Sequence, residues 1–283
     1  MASCAPKSVW GDRVIVCGAR DLYIVNTAES NDSLKVEWHW KVSDHMSELP
    51  ESYYRKLRSL DDCKIVDKGS KILVTSSSDA TLLLDAVTGK VLFYAETPMA
   101  HSADLLPGGR IAVANSTDEG GNSLELYDIT MNDVCLWRDT LYFGHGAVWN
   151  DKRQRLYALG YNRIKCYEPV DWETDHPSMK FVGEYRLPDT NGHELSPIGS
   201  DKLLVSGHTS VNVLDLNSGE FAPFEPLAGK HGVKSANYNP ETGRLIYTQR
   251  ETSWWTNHVY MENPDKVLTF DENFKLYKVR VVQ

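Results

Sequence analysis

The sequence predicts an all-β fold, a six-bladed β-propeller with four-stranded antiparallel blades around a central channel, and three observations carry that prediction. One layout recurs six times along the 283 residues. Each recurrence runs from a polar start through a turn into a short apolar strand led by a basic or polar residue. Hairpin turns of the right chemistry, such as Asn217-Ser218-Gly219 and Pro107-Gly108-Gly109, separate the strands. Six units give roughly 47 residues each, the size of a propeller blade, whereas a two-sheet sandwich has no need of the same hairpin six times.

The units follow in order. The first reads SVWGD (8–12) into RVIVC (13–17), and the second runs from Asp62 through Gly69 and Ser70 into KILVT (71–75). The third is HSADLLPGG (101–109) into RIAVA (110–114), and the fourth HGAVWN (145–150) into RLYAL (155–159). HELSP (193–197) into KLLVS (202–206) makes the fifth, and KSANYNP (234–240) into RLIYT (244–248) the sixth. Third strands are expected at 22–25, 81–85, 123–128, 164–167, 211–216 and, in the last unit, 274–282. Fourth strands follow in several units, at 36–40, 91–95, 134–142, 181–186 and around 221–224. The one helical stretch, 51–60, reads as a crossover between the first two blades. The chain is thus a single propeller domain over 1–283, with blade starts near residues 8, 62, 101, 145, 193 and 234. Spacing leaves the closure of the ring open. The carboxyl-terminal hairpin, 266–270 with 274–282, either completes the last blade alone or exchanges a strand with the amino terminus.

Apolar residues make up 41% of the chain and charged residues 24%, which excludes wholesale disorder. A net charge of −9 argues against nucleic acid as a partner, since that favours a basic surface. No apolar run approaches the roughly 18–20 residues of a transmembrane segment. The five cysteines, Cys4, Cys17, Cys63, Cys135 and Cys166, contain no Cys-x-x-Cys pair, so no thiolate zinc site is expected. Cys4, within ASCA (2–5), resembles the lipidated cysteine of a bacterial lipoprotein and points to a periplasmic or cell-surface location, and the chain is expected to be a monomer. A chance match in a cytoplasmic protein is the alternative.

In a propeller the first strand of each blade lines the channel, and its start lies on the face that carries the loop after the second strand. Counting back nine residues from the basic leader of the second strand gives Asp62, His101 and His193. Units four and six have a turn one residue longer, and counting back ten gives His145 and Lys234. Five of six units therefore put a titratable side chain at one point near the channel mouth, with His231 on the approach to Lys234. Two readings follow. The imidazoles cap strand ends and bond neighbouring carbonyls, or His101, His145 and His193 hold a divalent metal ion such as zinc, manganese or iron. The loops after the second strands add Arg20, Asn115, Tyr161, Asn162, Arg163, His208, Gln249 and Arg250 to that face, with Trp254 and Trp255 just beyond. Adjacent tryptophans beside Arg and His resemble a sugar-stacking platform, although one of the two is expected to pack on its blade. His39, His45, Glu168 and His176 read as surface or packing residues, and DEGG (118–121) as a solvated turn. There is no Gly-x-Ser-x-Gly elbow, phosphate loop, dinucleotide fingerprint or EF-hand.

The motifs HSADLLPGG (101–109), HGAVW (145–149), GHEL (192–195) and VKS (233–235) with SWWT (253–256) resemble an uncharacterised bacterial family, a domain of unknown function. The resemblance spans nearly the whole chain. It implies a secreted or surface β-propeller of carbohydrate-degrading bacteria and no particular activity. In architecture and channel histidines the chain is more loosely similar to propeller polysaccharide lyases such as oligogalacturonate lyases. A lyase acting on small acidic, uronate-containing carbohydrate needs a base for the proton α to the carboxylate and cations for the enediolate. His101, His145 and His193 would serve as base or metal ligands, and Lys234, Arg250 and Arg163 as carboxylate partners. The alternative is a non-catalytic propeller that displays the same platform to a glycan or a protein. A gluconolactonase-like calcium propeller is the remaining reading, and only Asp62 fits its ligand set.

Overall fold

The computed structural model describes residues 11–282. Those residues form six sheets of four antiparallel strands, arranged as the blades of a propeller. In the second to sixth blades the strands run in sequence order from the channel outward, with inner strands Leu60–Val66, Ala100–Leu106, Gly146–Asn150, Glu194–Ile198 and Val233–Asn239. These begin within two residues of the expected starts at 62, 101, 145, 193 and 234.

The first blade is different. Its order is Leu276–Val281, Arg13–Gly18, Asp21–Asn26, Lys35–Lys41, so the carboxyl-terminal strand is innermost and pairs antiparallel with Arg13–Gly18. The expected blade start at residue 8 is therefore corrected: no inner strand precedes Arg13 among the described residues, and residues 8–10 lie outside them. The expected third strand of the last blade, 274–282, is corrected with it. That place is taken by His258–Glu262, followed by Lys266–Thr269, and the chain end closes the ring. The helix expected over 51–60 shrinks to one α turn, Tyr53–Lys56, after a 3-10 segment, Val42–Glu48. Strand Leu60–Val66 claims the end of that stretch when the Leu60 amide donates to the Ala19 carbonyl at 3.0 Å.

The second strand of each blade reads as a continuous apolar run because both of its faces are covered by neighbouring blades. In the first blade alternate residues face opposite neighbours, as the two-residue period of a strand requires. Ile15 and Cys17 pack on Leu60, Ile72 and Val74 of the second blade, while Val14 and Val16 pack on Ile246, Val259 and Leu268 of the sixth. Four further clusters of the same kind fill the remaining blade interfaces. The outer strands lose this cover, and Ser178–Arg186 carries exposed Lys180 and Arg186, charges that discourage edge pairing. Among the described residues no helix is long and apolar enough to cross a membrane.

Candidate functional site

The channel is filled by side chains from facing blades, and the closing strand supplies two of its cations. Arg280 donates to Asp62 of the second blade at 2.8 and 2.9 Å and also reaches Glu194 of the fifth. Lys278 lies 3.3 Å from Glu194 and donates to the His145 carbonyl, across the ring in the fourth blade, at 2.9 Å. Lys64 reaches the Ala147 carbonyl at 2.7 Å, and the Ser102 hydroxyl donates to Asp62 at 2.9 Å. Burial alone would raise the Asp62 carboxyl, but Arg280 and Lys278 hold it well below the usual carboxylate range. Burial likewise opposes the Arg280 charge, and the two carboxylates outweigh it. Ion pairs of Lys278 and Arg280 with Asp62 and Glu194 thus plug the channel. Beneath them lies a cavity of about 190 Å³ lined by Lys64, Asp104, Trp149, Ser196, Asn237 and Arg280.

Above the plug the inner-strand starts converge as the register predicts. His101 and His145 have ring centroids 4.2 Å apart, and His145 and His193 are 4.9 Å apart, each pair tilted by 40°. Tyr277 of the closing strand sits 5.7 Å from His101, and the Lys234 ammonium lies 5.5 Å from the Tyr277 ring. The sixth member of the ring is Tyr277, and the second blade contributes Asp61 in place of Asp62. The correction comes from turn length. Val66 pairs with Lys71 across a 3-10 turn, Asp67–Gly69, whereas Leu106 pairs with Arg110 across three residues. The second blade therefore has the longer turn as well. Bulges then push Asp61, His101 and Lys234 out of the ladder, since Leu60, Ala100 and Val233 pair normally and the next paired residues are Asp62, Ser102 and Ser235. Such a bulge re-aims a side chain at the price of one unpaired residue.

A second local device accompanies the bulge. Two residues before the ring member the backbone turns left-handed in five blades, at Met99, Phe143, Asn191, Gly232 and Lys275, with φ from 49° to 68°. The turn brings the carbonyls of Met99 and Phe143 back onto the rings, so that Nδ1 of His101 and of His145 donates to them at 2.9 and 3.1 Å. Both imidazoles are thereby held with Nε2 as the acceptor. Burial lowers all three histidines. His101 falls to about 4, with Lys278 and Lys234 adding to the effect; His145 and His193 fall well below their ordinary value, His145 through its two imidazole neighbours and His193 through Lys234. His193 differs from the others in that its buried Nδ1 has no hydrogen-bond partner among the described residues. Phe143 lies over the group, 4.1 Å from His145 and 5.6 Å from His193.

Lys234 is the least exposed member of the ring. It is 1% exposed, yet among the described residues its ammonium has neither an ion pair nor a hydrogen bond; the aromatic faces of Trp254 and Tyr277 flank it at 5.5 Å each. Burial, with Arg250 and Lys278 nearby, brings it down to about 7. Gly232 seats Arg250: at φ 68° a side chain there would be strained, and a Cβ would lie 2.7 Å from Cγ of Arg250.

Residues 12–283 match a family described as a family of unknown function, DUF6528. The chain belongs to the DUF6528 family. No curated protein matches this DUF6528 chain. It is similar in structure to a protein of unknown function from Bacteroides caccae, with a TM-score of 0.60 over 96% of this chain and 98% of that one. At 12% identity that likeness shows the fold alone.

In this DUF6528 propeller the sequence-predicted residues divide into two sets. His101, His145, His193 and Lys234 come together, and Trp254, 56% exposed, covers Lys234. Exposed His208 and Arg250 lie close enough to depress His193 and Lys234 respectively. The rest serve local structure. Arg163 pairs with Glu184 at 2.9 Å, Asn115 is buried against Ser123, and Gln249 donates to the carbonyl of His231 at 2.8 Å. Trp255 faces Lys275 rather than Lys234. Among the described residues no three His, Cys, Asp or Glu side chains form a group that could hold a metal ion. Cys4 lies outside the described residues. Sequence reasoning missed Phe143, Tyr277 and Asp61, and also Tyr142, which packs 5.6 Å from Tyr161 while 62% exposed. The left-handed residue two places before the ring is Met, Phe, Asn, Gly or Lys in turn, so no shared residue type in the sequence points to Tyr277.

Proposed function

We propose that the imidazole-lined mouth binds a small acidic sugar, with the carboxylate received by Lys234 and Arg250 and the ring stacked on Trp254. The observation that carries this reading is the buried Lys234 side chain, whose ammonium has no anionic partner among the described residues. An unpaired buried charge is costly unless something supplies the missing counter-charge, and a ligand carboxylate would do so. Neutral imidazoles with Nε2 as acceptor suit sugar hydroxyls, and an exposed indole suits the apolar face of a pyranose. The protein as a whole is acidic, so this local excess of positive charge selects small anions over polyanions.

Titration calorimetry of uronic acids and uronate oligosaccharides, read alongside quenching of tryptophan fluorescence, tests the reading. Binding that is lost in Trp254→Ala and in Arg250→Ala, with the fold intact by circular dichroism, supports it. Absence of binding across the panel overturns it.

The second reading is elimination, and the lowered Lys234 favours it, since an amine near 7 can act as a base at physiological pH. Ultraviolet absorbance of unsaturated uronate detects the product, and a chelator arm tests for a zinc, manganese or iron ion on the histidines. Loss of turnover in a folded His193→Ala variant supports the lyase; an assay silent at every pH leaves a binding module. A periplasmic or cell-surface location belongs to the same reading, and fractionation of cells for the native protein tests it.

A further inference from the structure

We propose that Lys234 is a nucleophilic amine, and that the mouth captures a carbonyl-bearing ligand as an imine on its Nζ. Three features of the site carry this. The amine is buried and has neither carboxylate nor carbonyl as a partner among the described residues, so nothing ties up its lone pair. Its electrostatic neighbours are cations, Arg250 and Lys278, the arrangement that activates lysine nucleophiles elsewhere. Beside it His193 presents a buried Nδ1 with no partner among the described residues, a neutral group able to take a proton and return it.

The step balances without an oxidant or reductant. The Nζ lone pair attacks the carbonyl carbon, a C–N bond forms, and the carbonyl π pair moves to oxygen. A proton passes from nitrogen to that oxygen, with His193 as the relay. Loss of water from the resulting carbinolamine leaves the C=N bond. Free amine is required, and burial provides it: at neutral pH a lysine near 7 has on the order of a thousand-fold more free amine than one near 10.5. Access is controlled by Trp254, which covers the amine from a tight turn closed by the Thr252–Trp255 bridge, with Ser253 left-handed at φ 59°. The ligand class, an open-chain sugar acid carrying both a carbonyl and a carboxylate, rests on the function proposed above, with Arg250 holding the carboxylate while Nζ takes the carbonyl; the reactivity of the amine does not.

The experiment incubates the full chain at pH 7 with glyceraldehyde, and separately with glucuronate, each with cyanoborohydride to trap the imine. Intact mass and peptide mapping then locate the adduct. The expected result is a first adduct on Lys234 that precedes labelling of surface lysines, is absent in Lys234→Met, and forms faster in Trp254→Ala. Mapping on the unaltered chain makes the result independent of whether Lys234→Met folds. Labelling spread over surface lysines with Lys234 unmodified overturns the inference. Glucuronate binding by calorimetry without any Lys234 adduct also overturns it, while the binding function stands. A glyceraldehyde adduct on Lys234 in a protein that binds no uronate supports the nucleophile and removes the acidic-sugar reading.

Discussion

At the scale of single residues, Lys234 is a stability cost retained at the channel mouth. Its folded-state pKa lies below the unfolded value, so the free amine is favoured on folding and the charged form is penalised. The contribution is neutral above about 10.5, where both states are uncharged, and turns increasingly unfavourable as pH falls toward 7. Lys234→Met keeps the volume and removes the charge. It should raise unfolding free energy by about 1–3 kcal/mol at pH 6, with the gain fading toward pH 10, in urea titrations at the two pH values. A loss of stability at pH 6 would mean that the ammonium has a partner in solution. Asp61 behaves in the opposite sense to an ordinary salt-bridged carboxylate. Burial raises it to about 7 despite the Ser77 amide and Lys278, so stability is full below about pH 4 and is lost as pH rises through 7. Asp61→Asn retains an acceptor for Ser77 and should therefore be more stable than the parent at pH 8, and equal to it near pH 4, by the same titration.

At the scale of the element, each inner strand carries a bulge or a left-handed turn at its start, and that irregularity makes the ring. A regular ladder would send alternate residues to the blade interfaces. The extra residue turns Asp61, His101 and Lys234 toward the axis instead. Gly232 tests this directly. Gly232→Ala introduces a Cβ where Arg250 Cγ stands and an L side chain at positive φ, at a cost of roughly 1 kcal/mol for the backbone alone. The expected outcome is a folded protein with modest loss of stability but a marked loss of uronate affinity, because Arg250 is displaced. Unchanged affinity in calorimetry would remove Arg250 from the site.

For the whole molecule, closure of the ring and charge balance in the channel are the same event. Asp62 and Glu194 come from the second and fifth blades, and the cations that neutralise them, Lys278 and Arg280, arrive with the last strand. Arg280→Leu leaves buried carboxylates short of a partner and should cost about 3–5 kcal/mol at pH 7. The sign with pH follows from Asp62, held below its ordinary range in the parent: its stabilisation is present above about pH 4 and is lost as pH falls. The gap between parent and variant should narrow toward acid in urea melts. A pH-independent gap would assign the loss to packing alone.

Much of this architecture was legible from sequence because local and repeated physics wrote it. Apolar second strands, hairpin glycines and the polar start of each unit recur at blade spacing, and they placed five inner strands and the meeting of His101, His145, His193 and Lys234. What tertiary structure decided is equally specific. Asp61 rather than Asp62 faces the mouth because one 3-10 turn adds a residue, which spacing from a single leader cannot count. Arg163 and Trp255 found Glu184 and Lys275, partners that the linear order does not advertise. Above all, LYKVRV at Leu276–Val281 alternates as an outer edge strand would, with cations free to meet solvent. It becomes the innermost strand because the channel already holds two buried carboxylates from distant blades, and charges in a low-dielectric core are stable only when paired there.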